Sequence, residues 1–125
     1  MDILFDTNFL LSCIQHKVDF IAECERLFSQ AVIIIPQEVI DELRMITTRK
    51  GAKEKQAAFL LLKIIDKFQK DRSIHIEKSK SRGADDALLF FDAEDVVIAT
   101  FDKELKKRFV RAGFLRIKGT SLVQI

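Results

Sequence analysis

Short, uninterrupted apolar runs constrain the fold of this chain more than any other feature. The two clearest runs cover residues 31–35 (AVIII) and 96–99 (VVIA). A strand whose consecutive side chains are all apolar needs cover on both faces, which is typical of a parallel sheet between layers of helices. Helical spacing of apolar residues follows these runs, and strands that alternate with helices indicate an α/β fold.

The same periodicities predict the remaining elements. We expect further strands at residues 1–6, at residues 73–77 near an edge of the sheet, and at residues 114–117. Helices are expected over residues 9–28 with a break near 16–18, and over 36–46, 57–68, 85–91 and 102–112, the last one ended by Gly113. The prediction is one domain over residues 1–125, a three-layer α/β/α sandwich with a central parallel five-stranded sheet.

Composition fits a globular protein, because 48% of the 125 residues are hydrophobic and 32% are charged. No apolar run approaches the roughly 18 residues of a membrane span. The N-terminal stretch MDILFDTNFLL lacks the basic start of a signal peptide, so we expect a cytoplasmic protein with no membrane partner. Cys13 and Cys24 show no metal-ligand spacing and are expected to be buried thiols.

Three carboxylates occupy comparable positions along the chain. Asp6 ends the first predicted strand, Asp86 opens the helix before the fourth, and Asp102 follows the fourth. A doubly wound order of strands would place the first strand beside the fourth, and ligands bind outside the carboxyl ends of strands at that place. We therefore expect Asp6 and Asp102 to emerge side by side.

A fourth acid joins this group through helical geometry. Val39, Ile40, Leu43 and Ile46 define the buried face of one helix. Glu42 lies roughly 90° from the centre of that face, at the border of core and cleft. Glu38 and Asp41 lie roughly 130° and 170° away, toward solvent.

Each acid also has a simpler interpretation. Asp6 could be a turn residue and Glu42 a surface acid, and for Asp102 alone a helix N-cap is the better interpretation. Four carboxylates at one end of one sheet repel one another, which favours a site for a hard cation such as Mg²⁺ or Mn²⁺. Such ions activate water and clamp oxygens in phosphoryl displacement.

The motifs DTNFLL, PQEVIDEL, GADDALL and VIATFDKEL, in this order and spacing, resemble the PIN-domain family of metal-dependent ribonucleases. The resemblance covers nearly the whole chain and implies the strand order 3-2-1-4-5. It implies that Asp6, Asp86 and Asp102 hold metal and that Glu42 completes the catalytic set. The supporting positions that it implies are Thr7, Asn8, Thr100 and, as a helix N-cap, Asp85. Phe101 departs from the family, in which a polar residue, often Asn, is common at this position.

The activity implied by this resemblance is Mg²⁺- or Mn²⁺-dependent cleavage of RNA, leaving 5′-phosphate and 3′-hydroxyl ends. The chain looks most like archaeal single-domain members, which are similar to the nucleases of small-subunit ribosomal RNA processing. VapC toxins share the four acids. The implied partners are RNA, a ribosome-assembly factor or an antitoxin, and a second copy of the chain.

Two other functions compete with RNA cleavage. A scaffold that binds RNA or protein without cutting is disfavoured by the intact acidic set. A phosphoacceptor receiver domain is disfavoured because the first strand ends in Asp6 alone and the third in Glu77, whereas receivers carry an acidic pair and an Asp there.

Basic residues flank the motifs, although the net charge is only +2. Solvated helix faces are one interpretation of such charge runs. Contacts with the phosphates of RNA are the other. The residues that we would assign to those contacts are Arg49, Lys50, Lys53, Arg82 and Lys103.

Overall fold

The computed structural model describes residues 1–49, 51–79 and 83–125, with the backbone alone at Ala84 and Asp85. The predictions for Lys50 and Arg82 lie outside these residues. The strands are β1 (Asp2–Phe5), β2 (Val32–Pro36), β3 (Ile74–Glu77), β4 (Val96–Ala99), β5 (Gly113–Lys118) and β6 (Ser121–Gln124). The helices are α1 (Thr7–Gln15), α2 (Phe20–Leu27), α3 (Gln37–Arg49), α4 (Ala52–Lys70), α5 (Ala84–Phe90) and α6 (Lys103–Arg108).

The strands form one sheet in the order β3-β2-β1-β4-β5-β6. The pairs β1–β2, β1–β4, β2–β3 and β4–β5 are all parallel. The α/β class, the implied order of the first five strands and the edge position of β3 are therefore confirmed. The break between the first two helices is also confirmed, because α1 ends at Gln15 and α2 begins at Phe20.

The sheet has a sixth strand, so the predicted count of five is wrong. β6 pairs antiparallel with β5 through a two-residue loop between Lys118 and Ser121. Gly119 opens this loop with φ of +63°, a conformation that glycine adopts at little cost and that suits a tight hairpin. The Gly in KGTS was the available sequence signal for this hairpin.

The last helix is shorter than predicted, and Gly113 begins β5 instead of ending a helix. The physical reason is Asp92, whose carboxylate accepts the backbone N–H groups of three consecutive residues. The donors are Val110 at 2.8 Å, Arg111 at 3.0 Å and Ala112 at 2.8 Å. These bonds satisfy the backbone N–H groups of residues 110–112 outside a helix, so these residues have no need of helical hydrogen bonds.

Both faces of the sheet are covered, as the apolar runs predict. Along β1, Ile3 and Phe5 belong to one core cluster and Leu4 to another, since successive side chains point to opposite faces. Helices α1 to α4 cover the first face, and Leu88 of α5 and Leu105 of α6 cover the second. Among the helices that the structure describes, none is long and apolar enough to cross a bilayer.

Candidate active site

The register between β1 and β4 places two polar residues side by side. Phe5 pairs with Ala99, so Asp6 and Thr100 leave adjacent strands at the same edge of the sheet. The backbone N–H of Asp6 also donates to the carbonyl of Ala99 at 2.8 Å. Asp6 is 7% exposed and Thr100 is 1% exposed. The sheet therefore fixes both residues at the switch point, and the predicted position of the first strand beside the fourth is confirmed.

Thr100 links the two acids that follow these strands. Its hydroxyl donates to Oδ2 of Asp6 at 2.9 Å and accepts the backbone N–H of Asp102 at 3.1 Å. Asp102 in turn caps α6, because its Oδ1 accepts the N–H of Leu105 at 3.0 Å. The N-cap interpretation of Asp102 is thus confirmed, and the cap engages one of its two carboxylate oxygens. Thr100 orients Asp6, which is the kind of supporting role expected for it.

The acids converge on one open cleft of about 670 Å³. Its described lining residues are Asp6, Asn8, Glu42, Gly83, Asp86, Phe101, Asp102 and Arg108. The four predicted acids come from the end of β1, from α3, from α5 and from the loop after β4. Local sequence cannot show this convergence, because it is the parallel sheet that gathers these segments at one end.

Helix α3 presents its acids as geometry predicts, with one exception. Glu42 is half-buried and lines the cleft, whereas Asp41 is exposed and accepts a bond from Gln37 at 2.9 Å. The prediction that Glu38 faces solvent is wrong. Glu38 is half-buried, and one of its oxygens accepts a hydrogen bond from the hydroxyl of Ser79. Ser79, two residues beyond the end of β3, contacts this part of α3, and helical periodicity cannot reveal such a tertiary contact.

Asp86 forms an ion pair that sequence reasoning missed. Its Oδ1 lies 3.2 Å from Nη2 of Arg108, and both side chains are more than half exposed. Arg108 ends α6, and only its place in a basic run marked it in the sequence. The N-cap of α5 is Gly83, so the prediction of Asp85 as N-cap is wrong. Extended backbone at Gly83 starts the helix one residue earlier than expected.

The supporting polar residues after β1 differ in their surroundings. Thr7 is fully buried, and its hydroxyl has no hydrogen-bond partner among the described residues. Asn8 is exposed and lines the cleft. A polar atom that is buried without a partner is rare in folded proteins. The Thr7 hydroxyl is such an atom among the described residues, and Thr7 directly follows Asp6 in the chain.

The donor set fits a hard divalent cation in its chemistry, because all four acids offer carboxylate oxygens. In the part of the chain that the structure describes, however, no three Asp, Glu, His or Cys residues are arranged so that they could hold an ion. Asp86 is paired with Arg108, and Asp102 uses one oxygen for the cap. The cleft therefore gathers carboxylates, but its described residues do not form a metal cage.

The described basic residues that we assign to RNA contacts are all exposed. Arg49 lines an adjoining pocket of about 340 Å³ that shares Asn8 and Glu42 with the cleft. Lys53 in the first turn of α4 and Lys103 at the start of α6 are exposed. Their contact with RNA stays a prediction.

The two cysteines are excluded from this chemistry. Cys13 and Cys24 are fully buried, as expected, and burial raises the pKa of each thiol to about 12. A thiol with so high a pKa is a poor nucleophile and a poor metal ligand at neutral pH. Neither thiol lines the cleft among its described residues.

Comparison with known proteins gives concordant matches. Residues 3–118 match the family profile described as PIN like domain. The chain is 36% identical to ribonuclease VapC4 of Methanocaldococcus jannaschii in an alignment of 111 residues, and the match covers 84% of this chain and 79% of that relative.

Two solved structures have a similar fold. The PIN domain endonuclease Utp24 matches with a TM-score of 0.71 at 22% identity, over 98% of this chain and 90% of its own. A domain of a functionally unknown protein from M. jannaschii matches with a TM-score of 0.54 at 19% identity, over 94% of this chain and 92% of its own. At these identities the likeness concerns the fold.

Proposed function

The chain belongs to the PIN-like domain family, and we propose that it is an endoribonuclease that depends on Mg²⁺ or Mn²⁺ and acts in the cytoplasm. The observation that carries the proposal is the convergence of four acids from separate elements on one cleft. The 36% identity to a ribonuclease supports RNA as the substrate.

Asp6, Asp86 and Asp102 would hold the metal, and Glu42 would complete the site or orient the attacking water. When bound, a divalent ion supplies an activated water and neutralises charge on the phosphate oxygens. The ion pair with Arg108 engages Oδ1 of Asp86, so Arg108 would compete with a metal ion for that oxygen. Because both side chains of that pair are exposed, exchanging Arg108 for a metal ion at Asp86 requires little free energy, since ion pairs in water contribute little to stability.

The other residues of the site position these acids. The Thr100 hydroxyl donates a hydrogen bond to Oδ2 of Asp6 at 2.9 Å, which fixes the rotamer of that carboxylate. The cap bond to Leu105 fixes the rotamer of Asp102. Preorganised groups of this kind need not be reordered when the substrate arrives.

The exposed basic residues would hold the phosphates that flank the scissile bond. Arg49, Lys53 and Lys103 are the described candidates, and Lys50 and Arg82 complete the proposed set. Each phosphate contact releases a counterion, so RNA affinity should fall steeply with salt concentration.

The first test is cleavage of a labelled single-stranded RNA with Mg²⁺, with Mn²⁺ and with EDTA. We expect cleavage with either metal, none with EDTA, and products with 5′-phosphate and 3′-hydroxyl ends. Asp6→Asn should lower the rate at least about a hundredfold, the scale of losing a key electrostatic group. It should leave RNA affinity unchanged or tighter, because it removes an anion near the phosphates.

The matched control is Asp41→Asn on α3. Asp41 is exposed, accepts its hydrogen bond from Gln37 of the same helix, and does not line the cleft. Its variant should cleave like the wild type. Equal rates for Asp6→Asn and wild type, or undiminished cleavage in EDTA, would contradict the proposal.

A second candidate function is that of a toxin ribonuclease paired with an antitoxin. The identity to ribonuclease VapC4 favours it. Processing of ribosomal RNA is the other cellular role that we propose. Induction of the chain in a bacterial host separates the two roles. Growth arrest that Asp6→Asn relieves supports the toxin, and normal growth with specific cleavage of purified precursor ribosomal RNA supports processing.

A further inference from the structure

Phe101 is out of place in an acidic cleft. The other described side chains of the lining are charged or polar, and Phe101 is the one apolar side chain among them. It is 49% exposed, although it sits between the buried Thr100 and the helix cap Asp102. Scattered exposed apolar residues are ordinary on a protein surface, but this one shares a cavity with the acids.

The ring of Phe101 packs on one side against the hydrophobic core. It stacks on Phe9 with the ring centroids 4.7 Å apart and the planes 24° apart. Phe9 is fully buried and packs in turn on Phe5, with centroids 5.8 Å apart. One face of the Phe101 ring is therefore covered, so the opposite face and the edge carry its exposure.

The backbone on both sides of Phe101 is also fixed. The Thr100 hydroxyl accepts the N–H of Asp102 and donates to Asp6, so these bonds close a tight loop around residue 101. Asp102 is further anchored by its cap bond to Leu105. The ring is thus a rigid aromatic surface whose position relative to two of the acids is set by the fold.

We propose that Phe101 is a stacking platform for one unpaired base of the RNA, next to the phosphate that is cut. Every base has a π-face, and aromatic side chains of single-strand-binding proteins stack on bases in this way. Bases inside a duplex are already stacked on one another, so the platform selects single-stranded RNA or a splayed-out base. This inference rests on the proposed ribonuclease function and names the substrate class of the same cleft.

The composition of the chain provides a clean probe, because it contains no Trp and no Tyr. Phe101→Trp places a single tryptophan in the cleft, and its emission is quenched when a base stacks on it. Phe59→Trp is the matched control. Phe59 on α4 is 52% exposed, and it is not among the residues that line the cleft.

Both variants are titrated first with a ten-nucleotide single-stranded RNA and then with the corresponding duplex. Ca²⁺ replaces Mg²⁺ in these titrations to suppress cutting. We expect quenching of Phe101→Trp by the single strand, much weaker quenching by the duplex, and no quenching of Phe59→Trp. A series of oligonucleotides with one abasic position should lose the quenching at one position only.

A second variant measures the contribution of the aromatic face. Phe101→Leu keeps an apolar cover over Phe9 and removes the π-surface, so its melting temperature should stay close to that of the wild type. We expect single-stranded RNA to bind at least about fivefold more weakly, the lower end of the effect of one stacked base. Binding of the duplex should not change.

The outcomes separate this inference from the function on which it rests. If the wild type cleaves RNA while Phe101→Trp is not quenched and Phe101→Leu binds normally, the platform is wrong and the ribonuclease stands. If the wild type neither binds nor cleaves RNA, both are wrong. Tryptophan emission of Phe101→Trp that changes with protein concentration without RNA would place Phe101 at a contact between copies and overturn the platform.

Discussion

At the scale of single residues, Arg108 and Asp86 are the pair whose role is least visible in the sequence. Their 3.2 Å contact joins α6 to α5 in the lining of the cleft, and both side chains are more than half exposed. An ion pair in such surroundings contributes less than about 1 kcal/mol to stability. Its main effect is that the Arg108 guanidinium contacts Asp86, a carboxylate that we propose as a metal ligand.

Replacement of Arg108 should therefore affect metal binding more than folding. Arg108→Gln removes a cation that competes for Asp86, so we expect Mn²⁺ to bind severalfold more tightly by titration calorimetry. RNA should bind more weakly, because a basic group beside the phosphates is lost. The change in unfolding free energy should stay below about 1 kcal/mol.

Arg111→Gln is the matched control for this prediction. Arg111 is exposed and lies three residues further along, and it is not among the described residues of the cleft lining. It should leave the Mn²⁺ affinity as it is in the wild type. An equal Mn²⁺ affinity for Arg108→Gln and wild type would show that Arg108 does not compete with the metal.

At the scale of elements, long-range hydrogen bonds explain why the apolar periodicity predicted too long a last helix. The helical pattern from Asp102 to Ala112 is cut at Arg108 because Asp92, 18 to 20 residues earlier, captures the following backbone N–H groups. Local sequence indicates helix propensity, but it does not show that the carboxylate of a distant residue will bind these N–H groups. The β5–β6 hairpin, in contrast, carried a local signal at Gly119.

The Asp92 contacts make stability depend on pH with a definite sign. Burial alone would raise the pKa of Asp92, but the N–H groups of Val110, Ala112 and Arg111 stabilise the carboxylate and bring its pKa below the usual value. A depressed pKa in the folded state contributes stability above the unfolded pKa of about 3.9. That stability is lost as the pH falls through the lower folded pKa.

Asp92→Asn tests this dependence. The substitution removes the charge, and hydrogen bonds to charged groups contribute about 1.5–3 kcal/mol, so we expect about 2 kcal/mol of destabilisation at pH 7. The difference from the wild type should shrink as the pH falls from about 4 to 2. Thermal melts over this range measure it, with Asp95→Asn, an exposed acid of the same loop, as the control. A difference as large at pH 2 as at pH 7 would contradict the assignment.

At the scale of the whole molecule, the sheet explains why the layers of the fold and the meeting of the acids could be predicted from the sequence. Apolar runs on β2 and β4 require cover on both faces, and that requirement predicts the layers. Acids that follow strands must then meet at one end of a parallel sheet. The motifs and their resemblance to a family supplied the strand order, which the chain confirms.

The remaining features depend on contacts between distant segments. The Arg108–Asp86 pair, the burial of Glu38 under Ser79 and the stacking of Phe101 on Phe9 all join elements far apart in sequence. Each of them is a property of the assembled fold rather than of a local pattern. Two of them give the acidic cleft a preformed aromatic surface at Phe101 and a competing cation at Arg108.

The most direct test of the central claim is a crystal structure with Mn²⁺, located by its anomalous scattering. We predict an ion in the cleft within about 2.0–2.6 Å of oxygens from at least two of Asp6, Asp86 and Asp102, directly or through bound water. The Arg108 guanidinium should then have left Asp86. An ion bound elsewhere, or a cleft that takes up no Mn²⁺ while Asp86 stays paired with Arg108, would contradict the proposed metal site.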